Sequence, residues 1–257
     1  MHSWGGFGSQ LFALCLIFDL RQKFPNKKIV LVHHTSGVTR RLFELESIMD
    51  LDIKLKVIDD FELLYSKNIT PTLHPAKSYL RFLKLTLIWL GFISLGNTDL
   101  ETRKIRPWTF DIRGHYSYRT ISNEFIRNYI SDLKISDFEK NSLLKSLVVH
   151  YRLGDLISLT GKSYVSPSRI VNEIKDLPDL NGLDQLIVYS DSKDVAKNLL
   201  KSDLESITST QFLELSTPEV IRNSIYAKHF IGTNSKVSIW IIKFRSFVGL
   251  PSIIIQE

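Results

Sequence analysis

Residues 147–155 read LVVHYRLGD, an apolar run that ends in polar side chains. Consecutive apolar residues of this kind predict a strand buried in a parallel sheet, and His150 and Arg152 come at its end. In open α/β sheets, ligands bind beyond the carboxyl ends of the strands. A guanidinium there can bind phosphate oxygens through its planar fork of N–H donors. This stretch therefore predicts a Rossmann-like, nucleotide-binding half with an anion site at its edge.

A second motif lies near the N-terminus, where residues 5–11 read GGFGSQL and open a predicted helix. A glycine-rich turn lets the backbone approach a ligand closely, and the start of a helix presents N–H groups to anions. Only Met1 to Trp4 precede the turn, so either the first strand is very short or the sequence given starts late. Together the two motifs predict a cleft between two halves that holds a phosphorylated small molecule.

Between and around these motifs, helical and strand periodicities alternate along the whole chain, as expected of an α/β protein. Two polar segments, each opening on a serine with an acid in the first turn, predict capped helices at 122–133 and 136–146. We place the border of the two halves before them, at 1–120 and 121–257, the second half being the more regular. Further helices are predicted at 10–24, 40–49, 168–175, 193–201, 218–227 and 235–247, and strands at 28–33, 53–58, 109–112, 147–151, 186–190, 230–232 and 252–256.

Five segments, in the same order, make the chain resemble the bacterial α-1,2-fucosyltransferase-like glycosyltransferases. Residues 5–10 are similar to that family's GGLGNQ segment, and residues 150–155 to its H-x-R-x-G-D segment. Residues 114–118, 188–192 and 227–240 are similar to three further family segments, G-Y-x-Q-S-x-x-Y, F-S-D and C-K-H-x-I-x-A-N-S-S-F-S-W-W. The chain is a divergent member by this resemblance, with Ser9, Leu153 and Ile239 at positions where the family has Asn, a frequent second Arg, and Trp.

The resemblance implies a GT-B-like fold, in which two Rossmann-like halves face a central cleft. It also implies a metal-independent, inverting transfer of fucose from GDP-fucose, a co-substrate rather than a cofactor, to a hydroxyl of a surface-polysaccharide intermediate such as O-antigen or capsule. The acceptor would be lipid-linked at the cytoplasmic face of the inner membrane. The three departures leave open another activated sugar as donor, and a binding module that has lost catalysis is a further alternative.

Arg152 is the leading catalytic candidate, because the resemblance implies that it contacts the donor diphosphate. The alternative is a surface ion pair with Asp155, which is itself a candidate for positioning Arg152 or recognising the sugar. His150 lies two residues earlier and so shares one side of an extended segment with Arg152. Asp191 is equally well explained as a cap of the following helix. The donor-binding candidates are Gly5, Gly6, Gly8, Gln10, Tyr189, Ser190, Asp191, Thr233, Asn234, Ser235 and Ser238.

The base that would deprotonate the acceptor is left open between His115, Asp155 and Glu219. His115 has an imidazole suited to proton transfer near neutral pH. The D-x-D spelling at residues 50–52 is better explained as a solvated turn than as a metal site. Fixed cations are therefore the expected means of stabilising the departing phosphate, with no metal.

A formal net charge of +6 in 257 residues favours anionic partners. Nucleic acid is disfavoured, since the basic residues do not form one stripe interleaved with aromatics. The N-terminus shows no secretory signal, which favours a cytoplasmic protein, and Cys15, in an apolar run, is expected to be buried and inert. Residues 85–95 are apolar and follow Lys77, Arg81 and Lys84. Burial of this segment is favoured over peripheral membrane contact, and exposure of Trp89 separates the two.

Overall fold

The computed structural model describes residues 1–36, 40–45, 53–60, 75–96, 105–114, 116, 119–133, 135–158 and 163–256. The chain divides into two compact units, Met1–Asn128 and Tyr129–Glu257. Both are built from helices and parallel strands, so the chain is an α/β protein. Each unit is described below by itself.

The first unit contains two small parallel sheets. Strands β1 (His2–Trp4), β2 (Val30–His34) and β3 (Lys54–Ile58) pair in that order, with Trp4 opposite His34 and His34 opposite Ile58. Strands β4 (Ile93–Gly96) and β5 (Asp111–Gly114) form the second sheet. The strand predicted at 109–112 thus lies two residues further along, and β4 was missed because its residues belong to a longer apolar run.

Helix α1 (Phe7–Lys23) is the core element of the first unit, and most of its residues are buried. Apolar side chains occur on every side of the helix, as expected of one enclosed by protein rather than lying at a surface. Cys15 is fully buried within it, and burial raises the pKa of its thiol to about 11. The prediction of an inert core cysteine is confirmed.

The helix predicted at 40–49 is wrong over the described residues. Residues 40–44 are irregular, and Leu45 forms part of a 3-10 turn. The backbone here bonds to other parts of the chain, since Arg41 N–H donates to Thr35 O and Glu44 N–H donates to the side chain of Gln10. These tertiary bonds replace the ones that a helix would have made.

Helix α2 (Pro75–Trp89) ends before the apolar run does. Gly91 has a φ of +80°, a conformation that favours glycine, and it turns the chain into β4. The expected burial is wrong, because Trp89 is 84% exposed and Phe82 is 70% exposed. No helix within the described ranges is both long and apolar enough to cross a membrane.

Helices α3 (Asn123–Asp132) and α4 (Asp137–Leu143) fall where capped helices were predicted, and the border between the units lies inside α3. Phe125 N–H donates to Ser122 Oγ at 3.3 Å at the start of α3. Ser136 and Glu139 form a reciprocal capping box on α4. Both serine caps are confirmed.

The second unit has one five-stranded parallel sheet with the order β10-β9-β6-β7-β8. If these five strands are numbered 1 to 5 along the chain, the order read from the β8 edge is 3-2-1-4-5. This is the order of a doubly wound Rossmann-like sheet. The strands are β6 (Ser146–His150), β7 (Gln185–Tyr189), β8 (Thr210–Leu213), β9 (His229–Thr233) and β10 (Ile253–Ile255). The edge strand β8 was not predicted.

Helices connect these strands and complete the layers. They are α5 (Gly154–Ser158), α6 (Pro167–Lys175), α7 (Lys193–Glu205), α8 (Thr217–Ile225) and α9 (Lys236–Phe247). The core between α6, α7 and the sheet consists of aliphatic side chains such as Leu147, Ile170, Leu186 and Leu200, all fully buried. Strand β6 is central and apolar, so it carries His150 and Arg152 to the middle of the sheet's carboxyl edge.

A buried arginine braces the same unit. Arg245 in α9 donates to the carbonyl oxygens of Ser224, Ala227 and Pro251, at 2.6 to 2.8 Å. Burial lowers the pKa of Arg245 to about 10, which leaves it charged at neutral pH. Because these bonds join the last turn of α8 to the residues that precede β9 and β10, Arg245 fixes the starts of both strands relative to α8.

Candidate functional site

The site begins where the direction of strand order reverses, between β6 and β9. Arg152 N–H donates to Thr233 Oγ1 at 2.9 Å, and the Thr233 hydroxyl donates to His150 O at 3.2 Å. One threonine at the end of β9 therefore fixes the backbone on either side of Tyr151 at the end of β6. In open parallel sheets this switch point is where ligands bind. The structure thus brings His150, Arg152 and Thr233 together at that point.

Asp191 holds the turn that follows. Its Oδ1 accepts hydrogen bonds from the N–H groups of Leu153 and Gly154, each at 2.9 Å, and its Oδ2 lies 4.0 Å from Arg152 Nε. Gly154 has a φ of +21°, and a Cβ there would lie 2.2 Å from Asp191 Oδ2. Asp191 makes no side-chain capping bond to α7, whose N-cap is Ser192. Of the two alternatives for Asp191, the capping role is therefore wrong, and the carboxylate orients the Arg152 loop.

A chain of hydroxyl groups leads to His150. Ser235 Oγ donates to Ser238 Oγ at 3.1 Å, and Ser238 Oγ lies 2.8 Å from His150 Nδ1. Gly232 permits this close approach, since a Cβ there would lie 2.8 Å from the Ser238 side chain. If the hydroxyls donate in that direction, the imidazole proton is on Nε2. In that tautomer, Nδ1 accepts from Ser238 and Nε2–H is the hydrogen-bond donor that His150 can offer to a ligand.

Burial lowers the pKa of His150 to about 4, with Asp191 opposing the shift and Arg152 adding to it. The imidazole is therefore neutral at physiological pH, and it contributes a hydrogen-bond donor rather than a charge. The positive charge of the site comes from other residues.

Lys236, the first residue of α9, is a site residue that the sequence analysis did not nominate. Desolvation lowers the pKa of its ammonium, and the charge of Arg152 lowers it further. The fold thus holds two cations within electrostatic range at the N-terminal end of a helix, which also favours negative charge. An anion bound there would relieve this repulsion. The only signal for it in the sequence was the position of a lysine next to Ser235, at a predicted junction between a strand and a helix.

The remaining donor-side candidates lie at the same edge in different settings. Tyr189 is buried, and its hydroxyl accepts from Asn223 Nδ2 at 3.2 Å. Ser190 is buried and its Oγ accepts from Ser192 N–H, whereas Asn234 is exposed beyond the end of β9. Ser235 caps α9 by accepting from Ser238 N–H at 3.0 Å. Asn234 is thus the exposed polar side chain among these four.

The glycine turn of the first unit has a different character. Gly5 has a φ of +90°, Gly6 is the N-cap of α1, and Gly8 lies in its first turn. Gln10 is fully buried, and its amide donates to Gly5 O at 3.1 Å and to Leu42 O at 2.7 Å. The same amide accepts from Glu44 N–H at 2.9 Å. Gln10 therefore locks the turn to the segment at 40–45, and a donor contact for it stays a prediction.

An imidazole network that the sequence analysis missed joins His2, the first residue of β1, to His34 at the carboxyl end of β2. His2 Nδ1 lies 2.7 Å from His34 Nε2, and His34 Nδ1 lies 2.8 Å from Asp60 Oδ2. His2 Nε2 is 3.3 Å from Asp111 Oδ1, and Trp4 stacks on His34 with ring centroids 4.7 Å apart. Three of the four ring nitrogens of this pair are hydrogen-bonded within the first unit, and the fourth, His2 Nε2, lies near the Asp111 carboxylate without a hydrogen bond to it.

The candidates for a catalytic base are only partly described. His115 and the D-x-D residues 50–52 lie outside the described residues. Asp155 is the second residue of α5, but its side chain also lies outside the described part of the structure. Glu219 accepts from Ser216 N–H and Oγ–H in the capping box of α8, and these bonds lower the pKa of its carboxyl. A capping carboxylate of low pKa is a weak base, so the geometry disfavours Glu219.

No family model matches this chain, and no curated protein sequence matches it. Solved structures of similar fold include the apo form of POFUT1, 11% identical, covering 98% of this chain and 97% of its own, with a TM-score of 0.49. The E. coli heptosyltransferase WaaC with ADP-2-deoxy-2-fluoro heptose is 13% identical, with coverages of 99% and 88% and a TM-score of 0.45. A glycosyl transferase family 9 protein from Veillonella parvula DSM 2008 is 10% identical, with coverages of 99% and 80% and a TM-score of 0.47. At such low similarity, function must be inferred from the residues of the site.

Proposed function

We propose that this chain is a glycosyltransferase that uses a nucleotide sugar and stabilises the departing diphosphate with fixed cations. One observation carries the proposal: Arg152 follows β6 and Lys236 opens the helix after β9, so both cations lie at the switch point of a Rossmann-order sheet. Two like charges held close together favour the binding of an anion, in addition to the Asp191 carboxylate that already lies 4.0 Å from Arg152 Nε. A diphosphate is an anion of suitable charge for this position.

In the reaction, the bond between the anomeric carbon and the diphosphate oxygen breaks, and its electron pair stays on the phosphate. Arg152 and Lys236 stabilise the negative charge that develops there, and His150 donates a hydrogen bond. The acceptor hydroxyl attacks the opposite face of the sugar, which inverts the anomeric configuration, and its proton is lost to water or to a base not yet assigned. Asp191 acts as a positioning residue, because it fixes the Arg152 loop through the N–H groups of Leu153 and Gly154.

For the donor we propose GDP-fucose and, for the acceptor, a hydroxyl of a lipid-linked surface-polysaccharide intermediate at the cytoplasmic face of the membrane. The support for fucose is the resemblance of residues 5–10 and 150–155 to the α-1,2-fucosyltransferase-like segments. Two Rossmann-like halves facing a cleft, as in GT-B enzymes, are part of the same proposal.

A thermal-shift panel of GDP, UDP and CMP with their sugars, run with and without EDTA, tests this proposal. Selective stabilisation by GDP and GDP-fucose that survives EDTA is the expected result. A preference for UDP or CMP would overturn the fucosyl assignment, and stabilisation that EDTA abolishes would overturn the metal-independent one. Release of GDP from GDP-fucose on addition of acceptor separates an enzyme from an inactive binding module.

A further inference from the structure

The first unit carries an exposed aromatic surface that the proposed reaction does not use. It consists of Phe82, Leu85, Trp89 and Leu90 at the end of α2 with Trp108 and Phe110 after it, and we call these six residues the aromatic surface. All six side chains are exposed, Trp89 by 84% and Phe82 by 70%. Contiguous apolar exposure of this kind marks an interaction site, whereas single exposed apolar residues do not.

The surface is a built part of the fold. Trp108 Nε1–H donates to Leu90 O at 3.1 Å, and Thr109 Oγ1–H donates to Gly91 O at 2.7 Å. The rings of Phe92 and Phe110 lie 6.2 Å apart. These contacts tie the loop that carries Trp108 to the end of α2, so aromatic side chains from two segments face solvent together.

The charged residues within the two described segments that carry this surface, 75–96 and 105–110, are all basic. Residues 75–96 and 105–110 contain no Asp or Glu, but they contain Lys77, Arg81, Lys84 and Arg106. Lys84 is exposed, and the Arg106 guanidinium lies 5.3 Å from the centroid of the Trp108 ring. Tryptophan beside lysine or arginine, next to aliphatic side chains, is the composition of protein surfaces that rest in the lipid headgroup region.

We propose that the aromatic surface binds the surface of an anionic phospholipid bilayer. The aromatic and aliphatic side chains enter the headgroup boundary, and Lys84 and Arg106 pair with lipid phosphates. A second copy of the chain is a poorer fit, because a two-fold symmetric contact through this surface would bring the basic residues of one copy toward the basic residues of the other. The inference does not depend on the transferase proposal, since lipid binding is measured without donor or acceptor.

Cosedimentation of the full chain with vesicles tests it. We expect binding to vesicles of phosphatidylcholine mixed with phosphatidylglycerol, and much weaker binding to phosphatidylcholine alone. Phe82→Ser should reduce the partition coefficient about tenfold, since an exposed phenyl ring is removed from the contact. Phe138→Ser is the matched control, because Phe138 is 84% exposed in α4 of the second unit and should leave binding unchanged.

A charge reversal completes the test. Lys84→Glu should weaken binding to the mixed vesicles by about fivefold or more, whereas Lys197→Glu, an equal charge change at an exposed position of α7, should not. Failure of the wild type to bind mixed vesicles, or equal loss in the test and control variants, would overturn the proposal. So would a dimer, seen by sedimentation, that Phe82→Ser dissociates. In the wild type, brominated lipid should quench tryptophan fluorescence, and no quenching would contradict the proposal without any variant.

Discussion

Two glycine-containing turns of this chain follow short parallel strands, and the structure shows that they differ in hydrogen bonding and in charge. At the first turn, after β1, Gln10 donates to two backbone carbonyls and accepts from a backbone N–H. At the second, after β6, Thr233 and Asp191 bond the backbone, and the fold brings Arg152 and Lys236 into electrostatic range. From the sequence motifs alone, both turns were interpreted as ligand-binding sites. The first motif is thus accounted for by hydrogen bonds to the backbone, whereas the second also places two cations close together.

The largest effect is expected at the second turn. Arg152→Ala should lower the turnover of nucleotide sugar by about 10²–10³-fold, because one stabiliser of transition-state charge is removed. Thermal stability should change little, since the Thr233 bond is made by the Arg152 backbone. Arg222→Ala is the matched control, as Arg222 pairs with Glu139 in an exposed ion pair of the same unit. If steady-state kinetics show the same loss of turnover in both variants, Arg152 has no role in the mechanism.

The first turn should respond in the opposite way. Gln10→Ala removes the partner of Gly5 O, Leu42 O and Glu44 N–H at a buried site and should cost about 3 kcal/mol in free energy of unfolding. Gln22→Ala, which removes an exposed bond to Glu124, should cost about 0.5 kcal/mol or less. Urea unfolding measures both. Unchanged stability of Gln10→Ala, together with a raised donor KM, would make the first turn a binding site after all.

The packing of Gly154 gives a smaller effect. Gly154→Ala places a Cβ 2.2 Å from Asp191 Oδ2 and should lower the free energy of unfolding by about 2–3 kcal/mol, through steric strain. Gly249→Ala is the control for backbone conformation alone. Gly249 has a φ of +78° with nothing within 4 Å of the added Cβ, so about 1 kcal/mol is expected. Equal costs by urea unfolding would mean that Asp191 does not press against this turn.

His150 predicts a pH dependence. Its folded-state pKa of about 4 lies below the ordinary value of 6.5, so the unfolded chain binds the proton first as the pH falls. Stability should therefore be highest above about pH 6.5 and fall toward pH 4, with His150 contributing about 3 kcal/mol of that loss. His150→Asn keeps a polar group opposite Ser238 and should flatten the profile. An unchanged slope between pH 4 and 6.5 would contradict the desolvated imidazole.

The second unit was the more predictable from sequence, and particular residues show why. Strand β6 is a continuous apolar run in the middle of its sheet, so its pattern gives both its position and the edge that carries Arg152. Strand β8 reads TQFL at the end of the sheet, where half-exposed residues give little pattern.

Other features depend on contacts between distant segments and left no local signal. Residues 40–45 followed a helical pattern, but the bonds to Gln10 determine their conformation. Helix α2 was expected to be buried in the protein core. An apolar run in the sequence does not indicate whether its side chains pack inside the protein or lie at its surface. The proximity of Lys236 to Arg152, and the role of Asp191, require the β6–β9 switch point to exist first.

The most direct test of the account is the affinity for GDP, measured by isothermal titration calorimetry in EDTA with wild type, Arg152→Ala and Arg222→Ala. We predict that wild type and Arg222→Ala bind GDP equally without divalent metal, and that Arg152→Ala binds at least about 30-fold more weakly, since a charge-assisted contact to phosphate is lost. Equal affinity in all three proteins, or binding that appears only with added magnesium or manganese, would contradict a diphosphate held by fixed cations at this switch point.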